Sequence, residues 1–272
     1  MCVSTARADF AGTTVYLGKK NHPVHGFIYV LGYQNTAINL SPGPNAMLLH
    51  LPAVGMTQNN FLDTRRCHHV LKDMVRAVEG EERQTRSMSF GGITRGSIEV
   101  FEHDIYTVVL ASNASLIPEA LYQVPENKRI AANRPLFDFY AQCFSEYAVA
   151  LCCFDNKDAR QAAPLLMWYT PSNPQYLQLP ALDCHTGGIP NLYSRVEVDH
   201  WIILSSDEMP RGLGLPVVYS DSVPKEITTF LPNRVIGRRF QGTMHNGDFG
   251  ISHQEVCAGR TQSIQRFLPT GF

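Results

Sequence analysis

The sequence predicts an α+β fold in which an antiparallel sheet or sandwich dominates and about two amphipathic helices accompany it. Three observations lead there. Most apolar residues fall in short alternating or continuous runs rich in Val, Ile, Leu, Tyr and Phe, and the runs are separated by Gly, Pro, Asn and Asp. Only residues 65–79 and 134–147 repeat their apolar positions at helical spacing. No internal repeat, low-complexity tract or linker interrupts residues 1–272, which predicts one domain.

The runs at 2–10 and 13–17 read as strands joined at Ala11-Gly12, followed by strands at 27–31 and 36–40. Ser41-Pro42-Gly43-Pro44-Asn45 reads as a turn, because prolines donate nothing to a ladder, and 46–51 as a buried strand ended by Pro52. Within it His50 stands among leucines, as a core histidine or a ligand.

The first helix is expected over 65–79, capped by Asp63 or Thr64 and stopped at Gly80, with Val70, Leu71, Met74, Val75 and Val78 on its apolar face. Arg65, Arg66, His68, His69 and Lys72 oppose the dipole at its start. They read as a solvated face or as a place for an anionic partner. The polar, glycine-bearing segment 81–97 reads as a mobile loop, and 98–101 with 106–111 as a hairpin. The second helix is expected over 134–147, capped by Asn133 with Pro135 in its first turn. Strands follow at 148–154, 165–169, 196–203, 215–219 and 235–240, and Asn246-Gly247 is a two-residue turn signal.

Chemistry is sharpest at the start. Loss of Met1 would leave Cys2 with a thiol beside its own α-amine. The amine titrates at roughly 7.7 to 8.0, so part of it is neutral near pH 7 and able to take the thiol proton. A nucleophile paired with an N-terminal amine is a recipe for covalent acyl transfer. Around it, Met1-Cys2, a strand, a tight turn, a second strand and Gly18-Lys19-Lys20-Asn21 resemble the opening of the N-terminal-nucleophile cysteine hydrolases of the choloylglycine hydrolase and penicillin acylase type. In that family a Gly-Arg-Asn-like turn follows the second strand and an Asp comes shortly after; here Lys19 takes the Arg position, and His22-Pro23 stand where the Asp is expected. The resemblance implies cleavage of an amide bond, with Cys2 as nucleophile and Lys19 orienting the substrate. An asparagine would stabilise the oxyanion, and Asn246, beside Asp248, is the candidate.

A second polar cluster is Asp183-Cys184-His185-Thr186, followed by His200 on a strand. These are the residue types of an acid–base or metal site, and equally of local turn hydrogen bonds.

Composition narrows the classes. A net charge of −1 supplies no field for nucleic acid or an anionic membrane. No apolar run reaches the roughly 20 residues of a membrane span, and the first nine positions lack a secretory pattern. The seven cysteines are irregularly spaced, with Cys152-Cys153 in an apolar run, so a reducing, cytoplasmic setting is expected. No cofactor motif is present. Two readings follow: a cysteine amidohydrolase acting on a small amide through Cys2, Lys19 and Asn246, or a non-catalytic β-rich binding or assembly protein with a protein partner or a second copy of itself.

Overall fold

The computed structural model describes residues 3–40, 42–80, 98–220 and 222–268, and the side chains of all of these except 37–40. Cys2 and the segment 81–97 expected as a loop lie outside the described residues.

The strands are β1 (Val3–Ser4), β2 (Ala8–His22), β3 (Gly26–Leu40), β4 (Pro44–Leu51), β5 (Ala53–Val54), β6 (Phe61–Leu62), β7 (Glu99–His103) and β8 (Tyr106–Ala111). They continue with β9 (Ala148–Asp155), β10 (Leu165–Pro171), β11 (Tyr176–Leu179), β12 (Arg195–Ser206), β13 (Leu215–Pro216), β14 (Arg234–His245), β15 (Asp248–Ser252) and β16 (Gln265–Phe267). The α-helices are α1 (Val70–Glu79), α2 (Arg134–Cys143), α3 (Lys225–Thr228) and α4 (His253–Cys257), and a 3-10 segment spans Ala114–Gln123. The dominant antiparallel sheet and the two longer amphipathic helices are therefore as expected. One sheet runs β1-β4-β9-β8-β7, a second β13-β14-β12-β2-β3-β10-β5 with β6 also on β10, and a third β11-β15-β16. Among these pairings only β12 with β2 is parallel.

Period-two patterning decides the layers. On β2 and β3, Val15, Leu17, Tyr29, Leu31 and Tyr33 face a core shared with Met47, Leu49, Val108, Ala150 and Cys152 of the five-stranded sheet. Their alternates, Tyr16, Ile28 and Val30, face outward onto Val70, Leu71 and Met74 of α1. On the other sheet Leu48, Val109, Leu151 and Cys153 turn outward onto Phe137, Tyr140 and Phe144. Cys152 and Cys153 thus serve two different cores as small apolar residues. Each fully buried Leu or Val side chain contributes roughly 1.5–3 kcal/mol before ordering costs are counted.

Both long helices are shorter than their apolar periodicity. Over 63–69 the chain turns instead: Asp63 accepts hydrogen bonds from the backbone N–H (3.1 Å) and Nε (2.9 Å) of Arg65 rather than capping a helix. The Cys67 N–H donates to Thr64 O at 2.9 Å in a tight turn, and α1 starts at Val70. Asn133 caps α2 as expected, its Oδ1 accepting from Leu136 N–H. The helix stops at Cys143, and Tyr147 beyond it donates its hydroxyl to Gln178 Oε1 at 2.8 Å.

The opening differs from the expected strand–turn–strand pattern. Residues 8–22 form one strand, paired with β3 from Ala8↔Leu40 to His22↔Gly26, and Ala11-Gly12 sits at an irregularity in the register. Gly18-Lys19-Lys20-Asn21 is not a turn, because Lys19, Lys20 and Asn21 pair with Tyr29, Ile28 and Phe27 inside the ladder. Gly18 has another reason to lack a side chain: a Cβ there would overlap the Tyr16 hydroxyl, which is hydrogen-bonded to Ser205 at 2.9 Å. Gly32 is likewise a close approach, since a Cβ there would stand 2.6 Å from Leu71 of α1. Asn246-Gly247 does turn the chain, but between β14 and β15, which belong to different sheets.

No helix among the described residues is long and apolar enough to cross a membrane.

Candidate functional site

Lys19 and Asn246, the described members of the expected catalytic set, stand in two separate networks. Lys19 is buried in β2, where its ammonium lies 2.8 Å from Glu208 Oε1 and 3.4 Å from His253 Nδ1. The Lys19 contact holds the Glu208 carboxyl below the ordinary glutamate range. His253 opens α4, placed there by Ser252, which caps the helix by accepting from Glu255 N–H. One turn later Cys257 brings its Sγ to 3.3 Å from His253 Nε2, and Ser206 Oγ lies 2.9 Å from the same nitrogen. Glu208 Oε2 is 3.9 Å from Nδ1.

Here a thiol, an imidazole and a carboxylate meet, the residue types of a cysteine hydrolase. The hydrogen-bond directions oppose that use. An ammonium only donates, so Nδ1 of a neutral His253 is the acceptor and the ring proton sits on Nε2. The nitrogen facing the thiol is then a donor and cannot take its proton. Burial and the Lys19 charge lower the His253 pKa, and burial raises that of the Cys257 thiol. Sequence reasoning missed this cluster; the i, i+4 spacing of His253 and Cys257 was its one local signal.

Asn246 joins the other network. Its Oδ1 accepts from Asp183 N–H at 2.9 Å, and its Nδ2 donates to the carbonyls of Asp183 (2.8 Å) and Asn191 (3.1 Å). Every amide position is thus used in fixing the chain between 183 and 194, leaving an oxyanion nothing to meet. Asn133 Nδ2 donates to Gly187 O at 2.7 Å, and Ser4 and Ala8 donate their N–H groups to Cys184 O and His185 O. Held by all these bonds, the loop still presents Ile189 at 50% and Tyr193 at 83% exposure.

Beneath the loop lies Asp248, fully buried. It accepts from His50 Nε2 (2.7 Å), Gln178 Nε2 (3.0 Å), Ala181 N–H (2.9 Å) and Leu182 N–H (3.1 Å). Burial alone would raise its pKa, but His50 and these donors outweigh that and hold it below the ordinary aspartate range. His50 stacks on Phe144 at 3.8 Å, so it is a core histidine joined to a carboxylate. Asp183 and His185 stand 3.7 Å apart, burial raising the pKa of the first and lowering that of the second. His200, on β12, meets the Phe249 ring at 5.8 Å within the sheet core. Among the described residues no group of three or more His, Cys, Asp or Glu side chains is arranged to hold a metal.

No protein-family model and no curated protein matches the chain. Solved structures do. The chain is similar to baculovirus P35. One P35 crystal structure matches with a TM-score of 0.47 and 13% identity over 94% of this chain and 92% of that one. A mutated P35 after caspase cleavage matches with a TM-score of 0.47 and 10% identity over 90% and 98%. The caspase-8/P35 complex matches with 0.44 and 12% over 90% and 89%.

The resemblance to N-terminal-nucleophile hydrolases read over residues 1–21 is corrected. No family or curated match supports it, and its turn motif is uninterrupted strand.

Proposed function

We propose that this chain is a non-catalytic β-rich binding protein whose partner is another protein. The observation that carries the reading is the loop 183–194, bound at both ends by Asn246 while Tyr193 and Ile189 project into solvent. A rigid loop displaying large apolar side chains meets a partner without first losing conformational freedom, which is how preorganised anchors gain affinity. The wrong-handed tautomer at His253 supports the same reading, since the described thiol–imidazole pair is used as structure.

P35 has been solved with caspase-8. That fixes the first probe, while the reading itself rests on the loop. Biolayer interferometry of the purified chain against activated caspases, beginning with caspase-8, tests it. Saturable binding is expected, weakened roughly tenfold or more when Ile189 and Tyr193 are both replaced by Ala. Amide turnover by the chain alone, abolished by Cys2→Ser, would overturn the reading.

A further inference from the structure

A pocket of about 280 Å³ opens at one end of the core between the two larger sheets. The strand endings create it. β4 runs only to Leu51, paired with Ala148, because Pro52 has no N–H with which to continue the ladder. The chain crosses there to the other sheet, where Ala53 and Val54 of β5 pair with Pro171 and Thr170 of β10. β8 stops at Ala111, opposite Val149, and does not extend alongside Ala148. The two sheets thus end out of step, and Met56, Leu110 and Ala148 of the core become the lining of an opening.

The side chains of that lining are apolar except at Ser112, Glu146 and Tyr147. Val54, on the last strand of its sheet, is 62% exposed, an apolar side chain that the fold leaves uncovered beside the pocket. Glu146 is exposed as well, and no Lys, Arg or His lines the pocket with it. The Tyr147 wall is fixed beforehand. Its hydroxyl donates to Gln178 Oε1 at 2.8 Å, and Gln178 Nε2 donates to Asp248 Oδ2 at 3.0 Å. The pocket is therefore formed without a ligand, which lowers the ordering cost of filling it.

We propose that this pocket takes one large apolar side chain of a partner protein, with a Lys or Arg two residues along the partner's chain paired to Glu146. The volume lies just under the roughly 300–1,000 Å³ of sites for drug-sized molecules, which suits a single side chain. Residues two apart project to the same side of an extended segment, so anchor and cation reach the pocket and its rim together. The buried anchor supplies affinity, and the rim charge selects which segment enters. The inference rests on the reading of the chain as a binding protein and adds a second contact site, lined by no residue of the loop 183–194.

Methyl NMR of the full chain, titrated with the capped peptide lysine–glycine–leucine–glycine–lysine, tests it. Saturable shifts are expected at the Val54, Met56 and Leu110 methyls. Affinity should fall roughly tenfold or more when the leucine is replaced by alanine, and several-fold in Glu146→Lys. Glu146 is exposed, and unchanged positions of the remaining methyl signals confirm that the variant is folded. No shift at these methyls, equal affinity for the alanine peptide, or undiminished binding to Glu146→Lys would each overturn the proposal. The protein with Ile189 and Tyr193 both replaced by Ala should bind the peptide as wild type does, so the pocket can fail while the loop reading stands, and the reverse.

Discussion

Asn246 and Asp183 are joined by two antiparallel hydrogen bonds, side-chain amide to backbone, at 2.9 and 2.8 Å. The amide thus acts as a piece of strand, pairing with a loop residue as a neighbouring backbone would. Asn246→Ala leaves one buried N–H and one buried carbonyl unmet, which costs roughly 1–3 kcal/mol. Urea unfolding should show that loss. Asn246→Asp should be worse, since a carboxylate would face the carbonyls of Asp183 and Asn191. Equal stability of all three proteins would mean the clamp contributes nothing.

Asp248 ties β15 to His50 of β4 and to β11. Asp248→Asn sets an amide NH2 against donors that the carboxylate accepts from, and should cost about 1–3 kcal/mol. Its folded pKa lies below the ordinary value of about 3.9, so its contribution is complete above that pH. It is lost as acid brings the pH down through the folded value. Unfolding free energies measured from pH 5 downward should fall more steeply for wild type than for Asp248→Asn, and parallel curves would refute the assignment.

His22 predicts a separate acid response. Burial first, then the charges of His25 and Lys20, bring its pKa down to about 4. Its ring is stacked 4.4 Å from Phe230 and 4.7 Å from His25, and Nδ1 accepts from the N–H groups of Val24 and His25. Between about 6.5 and 4 the unfolded chain takes up a proton that the folded chain refuses, so stability declines as pH falls through that window. His22→Gln should flatten this part of the curve and leave the lower Asp248 part intact. An NMR titration placing His22 near its ordinary value would contradict the argument.

Lys19 fixes which nitrogen of His253 carries the proton. In Lys19→Met, Nδ1 can bear the hydrogen and point it at Glu208, making Nε2 an acceptor for the Cys257 thiol. Iodoacetamide labelling followed by peptide mass spectrometry should find Cys257 slower than free cysteine in wild type and several-fold faster in the variant. No change in the variant would remove the tautomer argument.

The strands at 13–17 and 27–31 were legible because alternation is local: each side chain's face follows from its parity along the strand. The helical faces of Val70–Glu79 and Arg134–Cys143 were legible for the same reason, as was the Asn133 cap. The break expected between 31 and 36 is not there, since Gly32, Tyr33 and Gln34 pair with Tyr16, Val15 and Thr14 inside the single strand β3. Gly18 was misread as part of a turn motif because the Tyr16 hydroxyl that fills its space is anchored by Ser205, far along the chain.

By itself, then, the sequence determined the α+β class, the dominance of antiparallel strands and the two principal helices. Tertiary structure alone decided what the polar residues do. Asn246 meets Asp183 across 63 positions, His50 meets Asp248 across 198, and Lys19 meets His253 across 234. A side chain's partner at such separations depends on which strands lie side by side, and no local periodicity encodes that pairing.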